Sequence, residues 1–214
     1  MIPVSDSDIS LSDLDEYKRV IPEDLSRSAA FIESVLISLQ LKKEARILDV
    51  GTGFGAMAIL LAMNGYHPTT GQPENDPEFD RGISDYEFQD SERGNGLDWK
   101  ENASKLGVLD MIQFQYLDVM DLGFDDSSFD AVFMYDTLQH IENRKAALNE
   151  CLRVLVVGGI FCILEWNKRS VIETEKEYGF RIDLIDPSDI LEGEYPGIRV
   201  ERGEFINAFI IQKP

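Results

Sequence analysis

Residues 45–55 read ARILDVGTGFG, and the stretch from Ile47 to Gly55 decides the fold. Ile47, Leu48 and Val50 make a short apolar block, the pattern of a strand buried on both faces of a parallel sheet. It ends in Gly51, Gly53 and Gly55, which permit a tight turn, let a ligand press against the main chain and aim the N–H groups of the next helix at it. AMAILLAMNGY follows as a helix stopped by Asn64 and Gly65, and HPTTG as a second strand. Strand, glycine turn, helix and strand make a parallel βαβ unit.

The alternation continues outward from that unit. Upstream, Leu25, Ala29, Ile32, Val35, Leu36 and Leu39 recur at three- and four-residue steps after Pro22, Glu23 and Asp24, which predicts one amphipathic helix over residues 22–41 within a helical cap, 1–44. Downstream, LDWKENASKLG is helical, MIQFQYLD and FDAVFMYD are strands, ENRKAALNECLRVL is a helix and IFCILEW a strand. IRVERGEF and INAFIIQK form a closing hairpin around Gly203. The expected fold is α/β: a Rossmann-like, doubly wound, mostly parallel seven-stranded sheet with a C-terminal antiparallel hairpin, in a single domain over 1–214. Residues 72–96, rich in Asp, Glu, Gly and Pro with scattered aromatics, are too long and polar for an ordinary connection and read as an insertion after the second strand.

Forty acidic against twenty basic side chains give a net charge of −20, a field that repels phosphate polyanions and anionic membranes and so argues against a nucleic-acid partner. Acidity of this kind also serves solubility. Neither Cys151 nor Cys162 sits in a CxxC pair, and with two His residues the inventory for a metal site is poor. The amino terminus has neither a basic n-region nor an apolar h-region, and no run approaches the roughly 18 apolar residues of a membrane span. These features predict a cytoplasmic protein with no metal and no membrane association; whether it is a monomer or homodimer they leave open.

Spacing separates the glycine turn from its dinucleotide-binding counterpart. The latter is GxGxxG, whereas this chain has GxGxG, with Asp49 two residues before the first glycine and Ala56 breaking the dinucleotide pattern. A carboxylate so placed can face an ammonium group, which a pyrophosphate is not. ILDVGTGFG, then ENASKLGV, then IQFQYLDVMDLGFDDSSFDAVFMYDTLQHI, then CLRVLVVGGIFCILEW together resemble the class I S-adenosylmethionine-dependent methyltransferases, and within them the type 11 group, over about residues 45–166.

The resemblance implies S-adenosylmethionine as cofactor and S-adenosylhomocysteine as its product. It implies that Asp49, Gly51, Thr52 and Gly53 hold the methionine part, and that Asp118 hydrogen-bonds the adenine amino group with the backbone of Val119 beside the ring. Tyr135 and Asp136 end the fourth strand at the carboxyl edge, where open α/β sheets bind ligands, and the resemblance puts this place, with Tyr135 among the cofactor-binding residues, beside the cofactor methionine and the methyl acceptor. Asp136 contacts the cofactor ammonium, positions an acceptor, or caps the TLQHIEN segment; His140 is a base near the acceptor or a packed helical histidine, and Asp136 or His140 is the candidate to remove a proton from the acceptor. Family members carry an acid after the second strand for the ribose hydroxyls. Here HPTTGQPEND leaves Glu74 for that role, with Gln72 as substitute. LVVGG stands where many members have LKPGG, and Gly158 and Gly159 keep the turn before the fifth strand.

The resemblance thus implies methyl transfer to a small-molecule or protein acceptor, whose identity the sequence does not carry. The alternative is a non-catalytic S-adenosylmethionine-binding or regulatory protein of the same fold, supported by the altered ribose acid. The GxGxG spacing and Asp118 disfavour a nicotinamide-dependent oxidoreductase. Tyr17, Phe79, Tyr86, Phe88 and Trp166 either build the acceptor pocket or pin the insertion down.

Overall fold

Strand β1 (Ile47–Val50) is buried along its whole length because parallel neighbours flank both its edges. Thr70 of β2 (Thr69–Gln72) lies opposite Asp49 on one side, and Phe133 of β4 (Phe129–Tyr135) on the other. The computed structural model describes residues 11–74, 98–179, 182–191 and 197–214. With β3 (Gln113–Tyr116), β5 (Leu155–Trp166), β6 (Arg199–Arg202) and β7 (Ile206–Gln212), the sheet has seven strands in the order β3-β2-β1-β4-β5-β7-β6. β7 alone runs antiparallel to its neighbours, β5 and β6. The expected doubly wound sheet with its antiparallel hairpin is therefore the observed one, in a single domain.

Because successive side chains of a strand face opposite ways, β1 feeds two cores. Ile47, with Phe133 and Leu164, packs under the helices α1 (Leu11–Val20), α3 (Ala29–Ser38) and α4 (Ala56–Met63). Leu48 and Val50 face Leu148, Cys151 and Leu152 of α6 (Arg144–Val154). Asp49 shares the parity of Ile47, so its carboxyl points to the helical-cap side. Between lies α5 (Trp99–Lys105), started by Asp98, whose side chain accepts from the Lys100 N–H. The chain order reverses between β1 and β4, and the crevice at such a switch point is where open sheets receive ligands.

Three expectations need correction. Residues 22–41 are not one helix but two, α2 (Glu23–Ser26) and α3, with a turn at Arg27 and Ser28. The break lays the Arg27 guanidinium over the rings of Trp166 (5.2 Å) and Phe205 (4.3 Å). The VVGG stretch is not a turn ahead of the fifth strand but part of β5: Gly158, at φ +77°, accompanies a bulge across which pairing jumps from Phe129–Leu155 to Ala131–Ile160. The tail also carries α7 (Lys168–Tyr178) and α8 (Pro187–Ile190), which the sequence reading left unassigned. Asn167 caps α7 by accepting from the Ser170 N–H, and Gly179 ends it at φ +75°.

Of the proposed insertion only Gln72 to Glu74 are described; residues 75–96, with Phe79, Tyr86 and Phe88, lie outside the described residues. Among the described residues no helix is long and apolar enough to cross a membrane, and no cluster of His, Cys, Asp and Glu could hold a metal ion.

Candidate active site

The turn after β1 is shaped by its neighbours. Gly51 sits at φ +92°, and a Cβ there would lie 2.4 Å from Thr137 Oγ1 and 2.8 Å from its Cγ2, so only glycine fits. The Gly51 N–H donates to the Gly71 carbonyl at 2.9 Å. The Gly53 N–H donates to Gln72 Oε1 at 3.0 Å, so β2 grips the turn through main chain and side chain.

Asp49 lies under this turn, 1% exposed. Its Oδ2 accepts from Thr70 Oγ1 at 2.8 Å, and the Thr70 and Thr52 hydroxyls are 2.9 Å apart. Its Oδ1 is buried and has no hydrogen-bond partner among the described residues. The nearby Tyr17 phenol is committed elsewhere, donating to the Ala56 carbonyl at 2.9 Å. Burial pushes the Asp49 carboxyl up to about 7, against the Thr70 bond, which favours the ionised form. Leaving a buried acceptor unmade costs about 1–3 kcal/mol. An orphaned carboxylate oxygen beside a glycine turn is thus matched to a cationic donor such as an α-ammonium group.

This sets a pH dependence. Asp49 keeps its proton to about 7 when folded, against an ordinary value of 3.8. Its contribution to the stability of the ligand-free fold is therefore full below 3.8 and lost as pH rises through about 7. An ammonium ligand needs the ionised carboxylate, so affinity runs the other way: S-adenosylhomocysteine should bind more tightly as pH rises from about 5.5 to about 8. Calorimetric titration across that range checks it, and Asp49→Asn should flatten the rise.

The carboxyl end of β4 holds the second cluster. Tyr135 is buried and its hydroxyl donates to the Leu25 carbonyl at 2.8 Å, tying the cap to the sheet. Asp136 adopts φ +51°, a left-handed conformation that Asp tolerates better than most residues. Its Oδ1 accepts from Trp166 Nε1 and from Gln139 Nε2, the latter at 2.6 Å. Beside it Glu165, 3% exposed, accepts the Leu138 N–H at 3.0 Å. Burial raises the Asp136 carboxyl well above the carboxylate range and the Glu165 charge raises it further; burial likewise pushes Glu165 up to about 7. Two carboxyls here share one weakly solvated corner. Asn143, accepting from the Ala146 N–H, caps α6. His140 ends the short 3₁₀ turn Leu138–His140 and is exposed, outside any α-helix.

At the far edge, Asp118 follows β3, exposed, with Oδ1 accepting the Met120 N–H at 2.8 Å, and Val119 is half-buried beside it. Gln72 is half-buried and engaged with Gly53, while Glu74 is exposed two residues beyond the strand. The structure thus brings Asp49, Gly51, Thr52, Gly53 and Gln72 together around one turn and sets Tyr135 and Asp136 on the neighbouring strand. Sequence reasoning missed Thr70, Thr137 and Glu165. The signal for Glu165 was a charged residue inside the apolar run IFCILEW.

Comparison with known proteins agrees with this geometry. Residues 92–163 match the type 11 family model described as a methyltransferase domain. The chain is 28% identical over 166 residues to the sterol 24-C-methyltransferase ERG6B of Gibberella zeae, covering 76% of this chain and 39% of that one. It is 35% identical over 121 residues to the 27-O-demethylrifamycin SV methyltransferase of Amycolatopsis mediterranei, covering 56% of this chain and 38% of that one. The chain therefore spans well under half the length of these two relatives. Among solved structures, the PH0226 protein of Pyrococcus horikoshii OT3 has the same fold, with a TM-score of 0.63 at 20% identity over 93% of this chain and 99% of that one. Fold and strand order define a Rossmann-like α/β domain of the methyltransferase type. With the family match over residues 92–163, the chain is similar to the class I S-adenosylmethionine-dependent methyltransferases, type 11 group, a similarity that implies S-adenosylmethionine as the cofactor.

Proposed function

We propose that this protein transfers a methyl group from S-adenosylmethionine to a small-molecule acceptor. The observation that carries the reading is the buried, unpartnered Oδ1 of Asp49 beneath the Gly51–Gly55 turn. Asp49, Gly51, Thr52 and Gly53 hold the methionine part, with the ammonium group on Asp49. Gln72 and Glu74 serve the ribose hydroxyls, and Asp118 and Val119 the adenine. Tyr135 forms the floor between cofactor and cap.

When bound, the cofactor supplies a methyl group on a sulfonium, open to in-line attack. Protein groups then have to orient the acceptor and exclude water. Asp136 and His140 are the groups placed to take a proton from an acceptor hydroxyl or amine. A carboxyl that ionises only above its ordinary range is the stronger base once ionised, which suits Asp136 to that role. The cap, 1–44, and the insertion, 72–96, select the acceptor. The named relatives act on small molecules, a sterol and a rifamycin, which supports an acceptor of that kind.

The test joins calorimetry with S-adenosylmethionine and S-adenosylhomocysteine to an assay of labelled methyl transfer across hydroxylated and carboxylated small molecules. Binding with turnover on some acceptor is expected. Binding without turnover on any would favour the non-catalytic alternative, and no binding would overturn the reading.

A further inference from the structure

In a chain with twice as many acids as bases, three cations gathered around one cleft stand out. Arg46, Arg144, Arg153, Arg169 and Arg199 all pair with Asp or Glu. Lys18, Arg19 and Arg27 take part in no salt bridge among the described residues, although the Arg27 charge helps lower the Glu173 carboxyl, and they line one open cleft of about 600 Å³ with Glu23 and Ser26. Arg27 also lines a second cavity of about 190 Å³, with Phe31, Glu204 and Phe205. Its Nε is buried with no hydrogen-bond partner among the described residues. The guanidinium lies against two aromatic rings, those of Trp166 and Phe205, which hold it in place.

The position matters as much as the charge. Trp166, under Arg27, donates its Nε1–H to Asp136, so a single indole separates the cationic cleft from the carboxyl proposed to face the acceptor. We propose that the cleft is an oxyanion subsite and that the acceptor is a small organic acid, its carboxylate or phosphate held by Arg27 with Arg19 and Lys18 while its nucleophilic atom lies toward Asp136. This rests on the methyl-transfer reading for the role of the acid, though not for its binding. A planar carboxylate meets a guanidinium through two parallel charge-assisted hydrogen bonds. In the lining of this cleft three cations stand against one acid, a local excess of positive charge in a molecule that repels anions at long range.

The probes are benzoate, methyl benzoate and phenyl phosphate, titrated calorimetrically into the full chain saturated with S-adenosylhomocysteine. Benzoate, phenyl phosphate or both should bind, more weakly as salt rises, and the uncharged ester should not; the tighter of the two acids names the oxyanion. Arg27→Met keeps the stem and removes the charge, and should cost about tenfold or more in acid affinity. Arg27→Lys should lose less, and S-adenosylhomocysteine should bind both variants as it binds the parent, which shows that the site is intact. The proposal is overturned if the ester binds as well as the acid, if Arg27→Met binds the acid unchanged, or if a protein that binds S-adenosylhomocysteine takes up neither acid. Should S-adenosylhomocysteine fail to bind while acids still bind through Arg27, the cofactor reading falls and the subsite stands.

Discussion

Asp49→Asn should weaken S-adenosylhomocysteine binding by about 30- to 100-fold, the worth of one buried charge-assisted hydrogen bond, while leaving the ligand-free protein as stable as its parent or more so. The two effects have one cause. With its carboxyl pushed up to about 7, Asp49 is ionised at pH 8 only at a cost to the fold, on the order of a few kcal/mol. Asn removes that cost and still offers Thr70 an acceptor, though its amide nitrogen then lacks a partner, which takes back about 1–3 kcal/mol. Thermal unfolding at pH 8 should therefore give an unchanged or higher Tm, and calorimetry a much larger Kd. A variant that binds as well as the parent would mean that the ammonium group lies elsewhere. One with a sharply lower Tm would mean that Asp49 is structural.

The second large effect is expected at Gly51. Gly51→Ala forces a side chain into φ +92° and drives its Cβ to 2.4 Å from Thr137 Oγ1. Thr137 is not free to yield, because that hydroxyl lies 3.2 Å from the Val50 carbonyl and 2.9 Å from the Tyr135 carbonyl. The backbone strain alone is worth about 1–3 kcal/mol, and the clash adds to it, so a loss of about 3 kcal/mol or more is expected, with S-adenosylhomocysteine binding no longer measurable. Gly53→Ala is the contrast. At φ +47° its Cβ would meet nothing within 4 Å, so its cost should be about 1 kcal/mol. Adding Thr137→Ala to Gly51→Ala should recover the steric part and leave the conformational part, a difference a double-mutant cycle reads directly. Equal costs at Gly51 and Gly53 would contradict this account.

The turn around Asp49 was legible because its determinants are local: an apolar block, glycines at fixed spacing and a helix start all lie within about a dozen consecutive residues. The strand alternation was legible for the same reason. What escaped was set by distant partners. Nothing between Pro22 and Leu41 marks a break, since the apolar period runs on without glycine; the turn at Arg27 answers to Trp166 and Phe205, far along the chain. Asp136 was recognisable by its place at a strand end, yet its bond to Trp166 and its proximity to Glu165 depend on the register of β4 against β5. Tyr135 was placed near the cofactor by resemblance, whereas its hydroxyl reaches a main-chain carbonyl, and no residue type announces that partner. α7 escaped because Val171 is its single buried apolar side chain among the described ones, too little for a visible stripe, although Asn167 and Gly179 mark its ends.

The two phenols that fasten the cap share a property with a longer reach. Tyr17 and Tyr135 both donate to carbonyl oxygens of the backbone, those of Ala56 and Leu25. A carbonyl is present whatever side chain occupies the position. Substitutions along α2 and the start of α4 can therefore accumulate without undoing either fastening, and the surface of the cap can drift while the grip beneath it persists. Such a joint lets one scaffold be refitted for new chemistry many times over.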